Sequence, residues 1–303
     1  MRPDEPRMEI VDAHHHLWDL SANYYPWLTD HIAERVCGDY SPIRKDYPIA
    51  DFLRDISSQN VVKSVHVQAE HDPRDPVRET RWLQEIADDV AISRGFPHAI
   101  VAYADFSAND VGAMLEAHAH HDNLRGIRQS LNGVINDRAH NRSLVNNPVW
   151  RRNLRLLERF GLSFDLQLYP EQMNEMAQVV AENEGTQFIL CHAGMPADGS
   201  ATGIARWRAG MHRLARLPNV AVKISGLGMF DRSWTVASIR SIVLATIDIF
   251  GTDRSMFASN FPVDGMMASY DRIWNAFKTL TQDFSEPERN KLFKENAIHY
   301  YRL

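Results

Sequence analysis

Ile10-Val11-Asp12-Ala13-His14-His15-His16-Leu17-Trp18-Asp19 is the stretch on which the fold turns. A short apolar run, Met8 to Val11, leads into three consecutive histidines. Side chains alternate faces along a strand, so His14 and His16 share one face and His15 takes the other. Two imidazoles at i and i+2 at the carboxyl end of a first strand can grip one metal ion or flank one polarised carbonyl. Either use places chemistry at the mouth of a barrel. A purification tag is usually longer, and it is not framed by a strand on one side and Leu17-Trp18-Asp19 on the other.

Outward from this stretch, short apolar or β-branched runs alternate with segments of helical period. Strands are predicted at Ile10 to Ala13, Val61 to Ala69, Ala99 to Phe106, Leu124 to Ser130, Ser163 to Leu168, Gln187 to His192, Val220 to Ser225 and Ser255 to Asn260. Glu79 to Ile86, Pro148 to Phe160, Glu171 to Glu184, Ile204 to Leu217, Thr235 to Phe250 and Tyr270 to Leu280 repeat apolar residues three and four apart, as helices do. Strand followed by helix argues for a parallel sheet. Eight such strands close most economically as an α/β fold of the (β/α)8 TIM barrel type, although a doubly wound open sheet shows similar alternation. One domain over residues 1–303 is expected, since no linker, repeat or low-complexity block offers a boundary.

Two additions to a plain barrel are legible. A long connection after strand 1, Leu17 to about Asn60, carries Trp18, Tyr24, Tyr25, Pro26, Trp27, His31 and Cys37, with a helical part at Ile49 to Ser58. It reads either as a pocket wall or as an Ω-loop packed on itself. At the other end, Ser285-Glu286-Pro287-Glu288 is a capping box with an early proline. It opens an extra C-terminal helix toward Tyr301 that closes the bottom or side of the barrel.

Composition narrows the function classes. Hydrophobic residues make up 44% and charged residues 24%, an ordinary globular balance. With 39 acidic against 33 basic residues the formal charge is -6, so neither nucleic acid nor an anionic membrane is an expected partner. Cys37 and Cys191 are the two cysteines, which argues against a disulfide framework and for a reducing cytoplasm. Met1 to Glu9 is charged and no long uncharged apolar run occurs, so secretion and membrane spanning are not expected. The oligomeric state is not legible.

Functional residues of such a barrel sit at the carboxyl ends of its strands. Those ends supply His14 and His16; Gln68, Glu70 and His71; Arg125, Arg128 and Gln129; Asp165 and Gln167; His192; Lys223 and Ser225; and Asn260, with Asp264 four residues on. His192 leaves a strand into Ala193-Gly194-Met195-Pro196, a turn that exposes its imidazole. Cys191, on the opposite face, reads as a small core residue. Arg125 and Arg128 differ in parity, and Arg128 is the one expected to grip a substrate carboxylate or hydroxyls.

Asp12-Ala13-His14-His15-His16-Leu17-Trp18-Asp19, Tyr25-Pro26-Trp27-Leu28, Gly126-Ile127-Arg128, Cys191-His192-Ala193-Gly194-Met195-Pro196, Val222 to Leu227, Ser259-Asn260-Phe261-Pro262-Val263 and Glu295-Asn296-Ala297 to Tyr301 together resemble the amidohydrolase superfamily. The resemblance is narrower still to its branch of sugar-lactone and 2-pyrone-4,6-dicarboxylate hydrolases. It implies a barrel that opens a lactone with water, the substrate carbonyl facing the strand-1 histidines. In the metal-binding branches a histidine from strand 5 and an aspartate from strand 8, the usual general base, join that pair. The matching positions here are Gln167 and Asn260, and Cys191 stands where these lactonases commonly have aspartate.

The expected catalytic set is therefore His14, His16, His192, Asn260 and Asp264, with Trp18, Trp27, Gln68, Arg128, Gln167 and Lys223 around the substrate. Two mechanisms stay open. In one, a divalent ion, zinc by preference, is held by His14 and His16 with a carboxylate such as Glu70 or Asp264 and activates water. In the other no metal is needed: His14, His16 and His192 polarise the lactone carbonyl, and Asp264 or His192 takes the proton. A metal-dependent decarboxylase and a non-catalytic carbonyl- or carboxylate-binding barrel are the alternative functions.

Overall fold

The structure, a computed structural model, describes residues 8–30, 35–132 and 144–303. His31 lies outside the described residues. Eight strands follow one another around a single sheet: β1 (Ile10–His15), β2 (Val61–Val67), β3 (Ala99–Ala102), β4 (Leu124–Ile127), β5 (Ser163–Leu166), β6 (Phe188–Leu190), β7 (Val220–Ile224) and β8 (Ser255–Phe257). Every neighbouring pair from β1–β2 to β7–β8 is parallel. The last seam closes beyond β8. Phe261 bridges His15, Asn260 N–H donates to the His14 carbonyl at 2.8 Å, and His16 N–H donates to the Phe261 carbonyl at 2.7 Å. The expected (β/α)8 barrel is the fold, and its closing hydrogen bonds tie the histidine run to Asn260.

Most strands stop short of the ends predicted from the apolar runs. Glu70 and Asn260 adopt φ of 57° and 55°, left-handed values that a strand cannot continue through. The polar residues after β2 and β8 therefore belong to the rim.

Helices follow the strands in turn: α1 (Ile49–Asp55), α2 (Pro76–Asp88), α3 (Val111–Ala119), α4 (Pro148–Leu154), α5 (Met173–Ala181), α6 (Ala201–Ala215), α7 (Val236–Phe250) and α8 (Tyr270–Leu280). Their starts are locally encoded. The side chains of Ser200, Thr235 and Ser269 each accept a hydrogen bond from the backbone N–H three residues on, capping α6, α7 and α8. Helix α3 was not foreseen: it is short, contains Gly112, and follows a polar Ser107-Ala108-Asn109-Asp110 turn. The Ser285–Glu288 capping box forms as expected and starts the segment that ends in α9 (Asn296–Tyr301).

Large apolar side chains such as Trp150, Phe164, Phe188 and Trp274 are buried in the layer between strands and helices. Smaller ones, including Val11, Ala13, Val65, Val101 and Ile189, fill the barrel interior. Tyr301 of α9 enters that interior from below, and its hydroxyl sits 3.1 and 3.0 Å from the two oxygens of Asp165.

Strand β1 departs from simple alternation. Asp12 opposes Ser64 and His15 opposes His66, so β1 has one residue more than β2 between these pairs. Such a bulge reverses parity. Asp12 consequently turns outward to the Ser259 hydroxyl and to Tyr270, whose hydroxyl lies 2.9 Å away, while His14 turns to the cluster inside.

Candidate active site

Beyond the bulge, His14 and His16 do share a face, with their Nε2 atoms 3.3 Å apart. His15 takes the other side, stacked on Phe52 at 4.0 Å and bonded to the Ser64 hydroxyl at 2.8 Å. Burial, reinforced by the neighbouring cations Lys223 and Arg128, holds the His14 pKa well below the usual histidine range. Burial and Arg128 do the same to His16. Both rings are neutral at pH 7, and the geometry then sets their tautomers. His16 Nδ1 lies 2.7 Å from the Val67 carbonyl, which only accepts, so Nδ1 carries the proton and Nε2 the lone pair. His14 Nε2 must donate to it, which leaves His14 Nδ1 bare, buried and without a partner among the described residues.

His192 completes the cluster, its ring centroid 4.7 Å from that of His14. It too is held neutral by burial and by Arg128 and Lys223. The backbone at His192 has φ of 54°, an unusual conformation for a non-glycine residue, and the ring is anchored by Ser225 Oγ at 3.0 Å from Nδ1. Gly226 makes room for it: a Cβ there would stand 2.6 Å from His192 Nδ1.

Asn260 Nδ2 lies 3.4 Å from Asp264 Oδ1. Burial raises the Asp264 carboxyl to a pKa of about 7, despite hydrogen bonds from Asn260 and from the backbone of Gly226 and Gly228. The carboxyl thus titrates at neutral pH, where an effective general base needs to.

His16, His192 and Asn260 border a cavity of about 260 Å³, whose wall also includes Trp27, Arg128 and Gln167. Arg128 reaches across it, donating from Nη1 to Gln167 Oε1 at 2.7 Å and from Nη2 to the Gln68 carbonyl, with its buried Nε unpartnered. Arg125, of opposite parity, is bonded instead to backbone carbonyls, among them those of Asp122 and Arg302.

Five of the expected residues do not line this cavity. His14 lies behind His16, and Asp264 behind Asn260. Gln68 faces a neighbouring cavity. Trp18 is fully buried, donating to the Lys45 carbonyl at 2.6 Å and packing edge-on against Trp27, so it supports the wall rather than forming it. Lys223 is fully buried and 2.5 Å from Asp165, which fixes it as half of an internal ion pair. Regular alternation points Lys223 inward, but the depth of that position leaves it beneath the rim.

The loop after β1 is a cavity wall, contributing Trp27, Arg35, Val36 and Cys37. Arg35 was not foreseen. Its guanidinium lies over the Trp27 ring at 4.8 Å and pairs with Glu70 at 3.0 Å. Nothing local distinguishes this arginine from other polar loop residues. Glu70, a proposed metal ligand, is engaged by Arg35.

Residues 11–303 match the family model described as Amidohydrolase. The chain belongs to the amidohydrolase family. The amidohydrolase is 49% identical over 301 residues to the uncharacterized protein y4mH of Sinorhizobium fredii, covering 97% of this chain and 98% of that one. It is 29% identical over 306 residues to an L-fucono-1,5-lactonase of Burkholderia multivorans, covering 97% and 96%. A crystal structure of a Burkholderia multivorans amidohydrolase with bound zinc superimposes with a TM-score of 0.81 at 29% identity, covering 97% of this chain and 99% of the other. A curated lactonase is thus among its relatives, in line with the branch that the motifs indicated.

A metal in this amidohydrolase meets a mixed donor set. Two imidazole nitrogens on a tetrahedral zinc, with bonds of about 2.0–2.1 Å, stand roughly 3.3 Å apart, and the His14–His16 edge matches that. The rest of the shell does not follow. Liganding through Nε2 would put the His14 proton on Nδ1, which is buried with no acceptor, whereas ligating histidines donate that proton. Among the described residues the one group of three His, Cys, Asp or Glu donors close enough to share an ion is His14, Asp165 and Cys191, within 4.8 Å of one another. Asp165 is already engaged by Lys223 and Tyr301, and burial pushes the Cys191 thiol up to about 11. Among the described residues, none completes a three-ligand zinc site around His14 and His16.

Proposed function

We propose that this amidohydrolase opens a lactone, an aldonolactone or a carboxylated cyclic ester, with water, using its own side chains. The observation that carries the reading is the cluster of three neutral histidines at one end of the cavity, beside the Arg128 guanidinium and a carboxyl that titrates near 7. Hydrogen-bond donors around a carbonyl oxygen stabilise the charge that develops there. Arg128, which lines the cavity and whose Nε–H is unpartnered among the described residues, is the donor at hand, while His14, behind His16, donates its Nε2–H to that ring.

Asn260, its amide turned by Asp264, orients the attacking water, and the proton passes through one bridging water to Asp264. The water oxygen bonds to the carbonyl carbon, the ring C–O bond breaks, and the leaving alkoxide takes the proton that Asp264 had accepted. The product is a hydroxy acid. His192 holds the ring oxygen side and is the second candidate for the proton relay.

Purified protein assayed against a panel of 1,4- and 1,5-aldonolactones and pyrone carboxylates, read by acid release, tests the proposal. Turnover of at least one lactone above spontaneous hydrolysis is the expected result. Binding without turnover across the panel overturns it in favour of a carbonyl- or carboxylate-binding barrel.

A further inference from the structure

A second cavity, of about 360 Å³, adjoins the first, and Trp27, Arg35, Glu70 and Ser130 line both. The proposed reaction makes no use of it, yet its wall is built for a polar ligand. Gln68 and His71 line it at 1% and 6% exposure, and Gln68 Nε2 and His71 Nε2 have no hydrogen-bond partner among the described residues. A buried donor left unpaired is costly, so such atoms mark places where a ligand supplies the missing bond.

The wall also has aromatic surface from Trp27 and Tyr103 and a carboxylate from Asp105. Asp105 is held in place, its Oδ1 accepting from Ser107 N at 2.9 Å and from Gln129 Nε2 at 2.9 Å. His71 is fixed edge-on against Tyr25 at 5.3 Å. Arg35 and Glu70 cancel each other as an ion pair, so Asp105 leaves the cavity with an excess of negative charge that disfavours an anion. Flat apolar faces, amide and imidazole groups and one carboxylate suit an uncharged, hydroxyl-bearing ring.

We infer that the second cavity is a subsite for a neutral glycosyl group carried by the substrate, the lactone ring occupying the first. The inference rests on the lactonase reading and narrows it to glycosylated aldonolactones, the class formed by oxidising the reducing end of a disaccharide. Each cavity lies near the small end of the roughly 300–1,000 Å³ range of ligand pockets, as expected for one ring apiece.

The test compares single-ring 1,5-aldonolactones with their glycosylated counterparts, cellobiono- and lactobiono-1,5-lactone among them, on wild type, His71→Ala and Asp105→Asn. The expected result is a kcat/KM about tenfold or more higher for a glycosylated lactone, since binding energy remote from the reacting bond raises that ratio. Both variants should lose the advantage and keep the single-ring rate. Equal rates for the two classes in wild type, or equal losses on both in the variants, overturn the subsite while leaving lactone hydrolysis standing. If no lactone turns over, the lactonase reading falls, and calorimetry with cellobionate against gluconate decides the subsite. Tighter binding of cellobionate that His71→Ala abolishes supports it, and equal binding overturns it.

Discussion

The Lys223 ammonium lies 2.5 Å from the Asp165 carboxylate, with both side chains entirely inside the barrel. Tyr301, at the very end of the chain, bonds the same carboxylate from below. Asp165 lies within 4.8 Å of His14, and the Lys223 charge adds to the burial that keeps that ring neutral.

Removing one partner of a buried pair strands the other charge. Lys223→Ala should therefore lower stability by about 3–5 kcal/mol in urea unfolding, whereas a Lys223→Met, Asp165→Leu double variant should recover most of the loss. A single variant as stable as wild type would show that the pair is not closed in solution.

Gly226 has φ of 66°, and a Cβ there would collide with the His192 ring. Gly226→Ala should cut kcat by tenfold or more, as an order-of-magnitude expectation for a displaced catalytic group, while thermal unfolding moves by only a few degrees. Steady-state kinetics and a melting curve on the same preparation separate the two effects.

His192→Ala should lower turnover of any lactone substrate by roughly a hundredfold or more, with binding of the hydroxy-acid product retained. An unchanged rate would remove His192 from the chemistry.

Asp264 must be ionised to accept a proton, so activity should rise with pH through about 7. Asp264→Asn should abolish that acid limb and lower kcat by about a hundredfold. Stability runs the opposite way. The folded pKa is raised from 3.8 to about 7, so the carboxyl's contribution is full at acid pH and is lost as pH rises through about 7. The variant should show a flatter stability profile between pH 3.8 and about 7, measured by denaturant titration at several pH values.

Among the described residues no third acidic, cysteine or histidine ligand joins His14 and His16, and two histidines alone hold a divalent ion loosely. Protein purified without added metal should contain well under one zinc per chain, and turnover should survive chelator. Stoichiometric zinc in elemental analysis, with activity lost on chelation and restored by zinc, would establish the metal route instead.

Much of this molecule is written locally. Short apolar or β-branched runs mark β1 to β8, and helix periodicity marks most of the helices between them, because both depend on neighbours a few positions away. The same holds for the placement of His14, His16, His192 and Asn260 at strand ends. Side-chain direction beyond a strand end is a different matter. The bulge between Asp12 and His15 sends Asp12 outward, and it is defined by pairing with Ser64 and His66, far along the chain.

Which rim residues meet is likewise a long-range outcome. Lys223 and Asp165 are 58 residues apart, and Arg35 and Glu70 are 35 apart. Neither pairing has a local signal. The sequence by itself determined the barrel, its family and the histidines at its mouth, since these follow from short-range periodicity and contiguous motifs. Only the tertiary structure decided that Lys223 is sunk into an internal ion pair, that Arg35 and Glu70 pair where two cavities adjoin, and that burial brings Asp264 to a neutral pKa. Depth and desolvation are properties of the closed barrel, and no segment of the chain carries them alone.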